Sequence, residues 1–538
     1  MIFLRRRSAW KFVLGAALTV AVVAMLLSPT TAAEIRNHTI WKDTQGDPID
    51  CEIVVDGAAR HQTYEGFGAT TLSLVHGHGR PGFGPAGDSL GPELRAQVLD
   101  ALYGQVKLTM GNLSIGPLET PGGWNRRGND NDDPRTIDWH GFDTSDADNM
   151  WKALVKPCTA IGLDNYSLQG NINWRWTSPW LADMYRKDRQ RCLDECAEQV
   201  EACVAHWRKI TGSVPRYVHL FNEPTSGNGE IAGADAHMVR DIVKRTGDRL
   251  RAAGFREVKL VVPNEETVER SLTVAKVILE DPDARKHVAA VGYHVYPYGS
   301  PYASVPRILH ASGSGKPDPA SIEQRRRLRD LCRQYELPVW MTEVSHAEAD
   351  PRSFDHLRGR AIHIHDEMTY ADASAFYGMN AMWDKKTHAA HFAGRGGDRP
   401  NALLTEEDTI VLADNDTGSV LITGMGYAIG HYARWLHRGA VRLEARSTDS
   451  LVLATAFQDN KANRLVLVVV NNAHEGRALS IRLSGVKVAG QVTGERSWGD
   501  KRWQRLEPVR VESSERIKTV VPALSVTTLA APNAKFHH

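Results

Sequence analysis

Short apolar runs with polar tips recur along the first two thirds of the chain, separated by stretches whose apolar residues fall at helical spacing. The runs are Glu65 to Ala69, Lys107 to Ile115, Asp164 to Gly170, Tyr217 to Asn222, Val258 to Pro263, Val288 to Val295, Val339 to Thr342 and Ala375 to Trp383. Helical patterns lie between most of them, including Glu93 to Leu102, Asp235 to Ala253, Val268 to Glu280 and Ser321 to Tyr335. An unbroken apolar run is the mark of a strand covered on both faces, as parallel strands flanked by helices are. Strand and helix in alternation predict βα units, and eight such strands predict a closed (β/α)₈ barrel.

The pattern changes toward the C-terminus. From Val441 onward helical spacing disappears and short alternating runs take over: Val441 to Glu444, Leu451 to Phe457, Arg464 to Asn471, Leu479 to Leu483, Lys518 to Val521 and Val526 to Ala530. Turn residues separate them, which predicts a β-sandwich. An early run at Ile53 to Gly57 has no partner ahead of the barrel and is expected to join the sandwich. The expected division is a signal segment over residues 1–33, the early strand over 34–60, the barrel over 61–420 and the sandwich over 421–538.

Composition narrows the class. The 538 residues are 42% hydrophobic and 24% charged with a formal charge of +1, which disfavours a dedicated nucleic-acid binder and an acidic disordered chain. Arg5, Arg6, Arg7 and Lys11 precede an apolar stretch from Phe12 to Leu27, and Thr31-Ala32-Ala33 follows with small residues. This is the pattern of a cleaved secretory signal, so a secreted or periplasmic protein without a membrane span is expected. Six cysteines are present, and Cys192, Cys196 and Cys203 share one face of a helical pattern. Buried thiols or a local disulfide fit that spacing better than zinc, which lacks its usual motif here.

Two glutamates carry the chemistry. Glu223 follows Tyr217-Val218-His219-Leu220-Phe221-Asn222 at the fourth predicted strand, and Glu343 ends Val339-Trp340-Met341-Thr342 at the seventh. The carboxyl ends of barrel strands are where active sites form. A protonated carboxyl beside an ionised one is the pair that cleaves glycosidic bonds, with retention when the two are close. Asn222 is placed to contact a sugar 2-hydroxyl. The 14 tryptophans include several near predicted strand ends, and aromatic faces suit pyranose rings.

These pieces together resemble the clan A glycoside hydrolases, and within them family 30. The resemblance rests on Glu65-Gly66-Phe67-Gly68-Ala69, Ser114-Ile115-Gly116, Trp176-Thr177-Ser178-Pro179-Trp180, Phe221-Asn222-Glu223-Pro224, His294-Val295-Tyr296, Met341-Thr342-Glu343, Trp383 and Leu524 to Leu529. It implies Glu223 as acid/base, Glu343 as nucleophile, and a sandwich packed beside the barrel. Expected sugar contacts are Asn222, Glu119, His294, Tyr296, Trp176, Trp180 and Trp383, with Trp174 as a further wall residue. Two positions depart from the family pattern. Asn112 stands where members usually carry arginine, and Glu119 where they often carry an aspartate that holds sugar hydroxyls. A divergent branch is therefore expected.

The expected activity is retaining hydrolysis of a β-linked poly- or oligosaccharide of galactan or glucan type, by a monomer without metal or other cofactor. The alternative is a non-catalytic carbohydrate-binding descendant of the same fold. His76-Gly77-His78 and His363-Ile364-His365 lack the spacing of an established zinc motif, and Asp414 to Gly418 is expected to be a turn rather than a calcium loop.

Overall fold

The computed structural model describes residues 49–70, 90–113, 129–142, 144, 147–148, 151–160, 166–169, 172, 179–226, 231, 233–296, 319–344, 350–378, 380–384 and 409–536. The signal-like segment and His76-Gly77-His78 lie outside them.

The chain opens with β1 (Ile49–Thr63) and then enters a parallel sheet. Its strands are β2 (Gly66–Ala69), β3 (Gly111–Leu113), β4 (Tyr166–Gln169), β5 (Tyr217–His219), β6 (Lys259–Glu265), β7 (Val288–His294), β8 (Val339–Glu343) and β9 (Ala373–Gly378). They lie in the order β2-β9-β8-β7-β6-β5-β4-β3. The two end strands meet through the N–H groups of Thr109 and Met110, both donating to the Phe67 carbonyl at 3.0 Å, which closes the ring. All eight predicted strands are present, so the barrel reading holds.

Alternation along the strands fills this ring. On β8 the Trp340 side chain joins Met110, Tyr217, Val261, Ala375 and Tyr377 in an inner cluster, while Val339 and Met341 belong to the outer core against the helices. That division is the two-residue period of a strand with both faces covered. The helices begin on side-chain caps. Asp188, Asp235, Thr267 and Ser353 accept from the backbone N–H of Arg191, Met238, Arg270 and His356, each satisfying a donor the first turn leaves free.

The last predicted barrel strand divides. After position 379 it continues as β10 (Asn380–Asp384), which leaves the barrel to pair with β11 (Thr409–Asp414), itself paired with β12 (Ser419–Ile422). The Ala381 N–H still donates to the Thr70 carbonyl at 2.9 Å, so β10 runs on past the carboxyl end of β2. Neither β11 nor β12 was predicted, nor was the helix Gly424–Ala433 that follows. The turn expected at Asp414 forms: the Asp414 carboxylate accepts from the N–H groups of Asp416 and Thr417.

The antiparallel domain comprises β13 (Val441–Ser447), β14 (Val452–Asp459), β15 (Arg464–Asn471), β16 (Arg477–Ser484), β17 (Val486–Lys487) and β18 (Gln491–Trp498). It is completed by β19 (Lys501–Arg505), β20 (Val509–Ser513), β21 (Arg516–Val521), β22 (Ser525–Pro532) and β23 (Lys535–Phe536). As expected, β1 belongs here, pairing antiparallel with β13 and parallel with β16. One face of β15 and β22, with Val466, Val468, Val470 and Val526, shares a continuous core with the barrel helices; Leu465, Leu467, Val469 and Leu529 face a second core inside the sandwich.

The six cysteines are free, buried thiols. His363 and His365 are buried in the helix Phe354–Tyr370, where His363 lies 3.0 Å from Glu367 and 3.2 Å from Arg360, and His365 lies 2.8 Å from the Thr455 hydroxyl. His365 thus links the helix to β14 of the antiparallel domain, whereas His363 faces the barrel, its ring edge-on to Phe376 of β9 at 5.4 Å.

Candidate active site

Beyond β5, Leu220 and Phe221 remain buried and carry the chain to Glu223, which takes a left-handed backbone conformation with φ of 49°. Its N–H donates to the Asn264 carbonyl at the end of β6 (2.8 Å). From the neighbouring β7, His294 brings its Nδ1 to 2.9 Å from the Glu223 carboxylate and 3.9 Å from that of Glu343 at the end of β8. One oxygen of each carboxylate and a ring nitrogen of His294 all lie within 4.8 Å of one another. The two glutamates are thus neighbours across the mouth of the ring, both largely buried, with side chains 17% and 11% exposed.

Burial sets the proton chemistry of Glu223 and His294. Desolvation, reinforced by the nearby Glu266 carboxylate and opposed by Arg270, pushes the Glu223 carboxyl up to about 8. Desolvation lowers the affinity of His294 for a second proton, against the pull of Glu343 and Glu266. Both shifts favour uncharged forms, so the contact at 2.9 Å is between a protonated acid and a neutral imidazole near neutral pH. Behind them Glu265 is fully buried, accepts the Thr225 N–H at 3.0 Å, and is itself pushed up to about 7 by burial.

The remaining expected residues fall in several places. Asn222 is half-buried beside Glu223. The Tyr296 N–H donates to the Glu266 carbonyl at 2.9 Å, and its ring meets His294 edge-on at 6.0 Å between centroids. Trp180 is the second residue of the helix Pro179–Lys187 and packs partly buried against the main core. Trp383 lies on β10 rather than on a barrel strand proper and is 3% exposed. Glu119, Trp174 and Trp176 lie outside the described residues; Asn112 is on β3 opposite Ser167 of β4. Sequence reasoning missed His219, fully buried between Trp340 and Tyr377 and lowered to about 3 by desolvation. It also missed Asn264 and Glu265, although the Pro263-Asn264-Glu265 tip of the fifth strand has the same polar-tip signature as the other two.

No family model matches the sequence, and no curated protein does. Solved structures do share its fold, which is that of clan A glycoside hydrolases of the family 30 type. A family 30 endoxylanase from Clostridium papyrosolvens has 16% identity, covering 89% of this chain and 100% of its own, with a TM-score of 0.61. SrfJ from Salmonella typhimurium has 14% identity over 91% of this chain and 94% of its own, with a TM-score of 0.63. An endo-β-1,6-glucanase has 17% identity over 89% and 94%, with a TM-score of 0.57. At these identities the likeness is one of fold.

Proposed function

We propose that this protein is an exported retaining β-glycosidase in which Glu223 is the acid/base and Glu343 the nucleophile. The observation that carries the reading is the closeness of the pair: one oxygen of each carboxylate lies within 4.8 Å of the other, which fits the short separation of retaining enzymes better than the wider gap an inverting enzyme keeps for its water. A carboxyl raised to about 8 beside a second carboxylate is the asymmetry the mechanism requires. Glu223 then protonates the departing glycosidic oxygen while a Glu343 oxygen bonds to the anomeric carbon and the C–O bond breaks. In the second half, Glu223 takes a proton from water as that water displaces Glu343. Glycoside hydrolase neighbours acting on xylan and on β-1,6-glucan support a β-linked polysaccharide or oligosaccharide as substrate, and the basic and apolar N-terminus supports export.

Hydrolysis of a panel of aryl β-glycosides (glucoside, galactoside, xyloside), followed by ¹H NMR of the first-formed sugar, tests this. The β-anomer is expected first. No turnover of any substrate, with binding retained, favours the non-catalytic alternative. The same three groups, Glu223, His294 and Glu343, also offer donor atoms close enough for one divalent cation. Excess EDTA separates that reading: the retaining glycosidase keeps its full rate, and a metal-dependent hydrolase loses it.

A further inference from the structure

We propose that Asn264 is a positioning residue that locks the two glutamate-bearing strands to each other. This rests on the reading of Glu223 and Glu343 as the reacting pair. Asn264 is 2% exposed at the tip of β6, in a left-handed conformation with φ of 56° that asparagine tolerates better than most residues. Each of its polar groups on the side chain is used, and on a different part of the site. Its backbone carbonyl accepts the Glu223 N–H at 2.8 Å. Its Nδ2 donates to the Phe221 carbonyl at 3.2 Å, two residues before Glu223, and to the Val261 carbonyl of its own strand at 3.1 Å. Its Oδ1 accepts from the Thr342 hydroxyl at 3.0 Å, directly before Glu343. On the intervening strand, a Cβ at Gly292 would overlap Asn264 Oδ1, so that strand leaves the amide its space by carrying glycine.

One side chain therefore spans the gap from the Glu223 segment to the residue preceding Glu343. Hydrogen bonds in a buried, water-poor setting hold geometry tightly, and a reacting pair displaced by a fraction of an ångström loses much of its rate. Asparagine is specific here. Aspartate in its place has the shape but would set a carboxylate against the Phe221 and Val261 carbonyls. Alanine removes the amide from all three contacts, leaving Thr342 only the Tyr293 carbonyl (3.2 Å) and Val261 only the Leu220 N–H (3.4 Å) among the described residues.

Asn264→Gly is the sharpest probe, because glycine adopts this backbone conformation freely and keeps the carbonyl that receives the Glu223 N–H. With an aryl β-glycoside turned over by the parent, Asn264→Gly should lower kcat by about 10²-fold with KM little changed. Thr342→Val should lower kcat by about tenfold and Thr342→Ser should restore it, since only the valine removes the hydroxyl. In the Asn264→Gly background, Thr342→Val should add nothing. The alkaline limb of the pH profile should also shift in Asn264→Gly. A folded Asn264→Gly enzyme with parental kcat and pH profile overturns the proposal, as does a Thr342→Val enzyme with parental kcat should the glycine variant not fold. A ¹³C NMR titration of the Glu223 carboxyl needs no substrate. If the parent turns over no glycoside, the functional reading fails, yet a displaced Glu223 titration in Asn264→Gly or Thr342→Val still upholds the lock and an unchanged one overturns it.

Discussion

Glu223 owes its behaviour to where the backbone puts it. Past the fourth barrel strand, in a left-handed backbone conformation, Glu223 sets its carboxyl 2.9 Å from His294 with the Glu266 carboxylate nearby, and desolvation there holds the proton on up to about pH 8. A raised folded-state pKa means the native state holds a proton that the unfolded chain releases. Glu223 therefore favours folding fully below its unfolded value of 4.5, and that contribution is lost as pH rises through about 8. Glu223→Gln should accordingly stabilise the protein by up to a few kcal/mol at neutral to mildly alkaline pH and not at pH 4, measured by urea unfolding at the two pH values. Activity should fall as pH rises through the same region. Glu223→Ala should lose far more rate on a polysaccharide than on an aryl glycoside with a good leaving group, which needs little protonation. Equal losses on both would assign Glu223 another role.

The elements were legible to different degrees, for physical reasons. Every barrel strand was readable because each is covered on both faces and so reads as an apolar run with a polar tip, from Gly66–Ala69 to Ala373–Gly378. The strands Ser419–Ile422, Lys501–Arg505 and Val509–Ser513 were not, since much of each is exposed or partly so and little apolar periodicity marks it. The helix Gly424–Ala433 is buried almost all round, so its three glycines and lack of a polar face concealed it. At the site, Glu223, His294 and Glu343 each stood at a visible strand tip. Asn264 did not stand out because its role comes from three strands meeting, a juxtaposition that spacing along one chain does not express. Gly292 belongs to that juxtaposition: Gly292→Ala should push against Asn264 Oδ1 and cost about 1–3 kcal/mol in urea unfolding, with kcat falling as well. Parental stability and rate would mean the site has slack that the packing does not show.

At the scale of the whole molecule, barrel and sandwich share a core. Phe457 of the sandwich meets Tyr64 and Tyr432 at ring-centroid distances of 6.4 Å each, and Tyr432 in turn meets Phe67 of the first barrel strand at 5.9 Å. Polar contacts also tie the helix Gly424–Ala433 and its C-terminal end to the antiparallel sheet, with buried His431 bonded to the hydroxyls of Thr528 at 3.0 Å and Ser497 at 2.8 Å, and the partly exposed Arg434 bonded to Glu495 at 2.9 Å. Truncation after Pro400 strips this apolar face and leaves β1 without either neighbour, so the shortened protein should be insoluble or much less stable by thermal unfolding. A segment from Arg60 to Pro400 that folds and turns over substrate at parental rate would make the sandwich an independent appendage. The central claim, that two neighbouring carboxylates act as acid and nucleophile, is tested most directly by covalent trapping. A panel of 2,4-dinitrophenyl 2-deoxy-2-fluoro-β-glycosides is incubated with the full-length protein, followed by intact mass measurement and peptide mapping. The account predicts one added glycosyl group, carried by Glu343, and none in Glu343→Gln. A label on any other residue, or release of the α-anomer first from the matching unmodified glycoside, would contradict it.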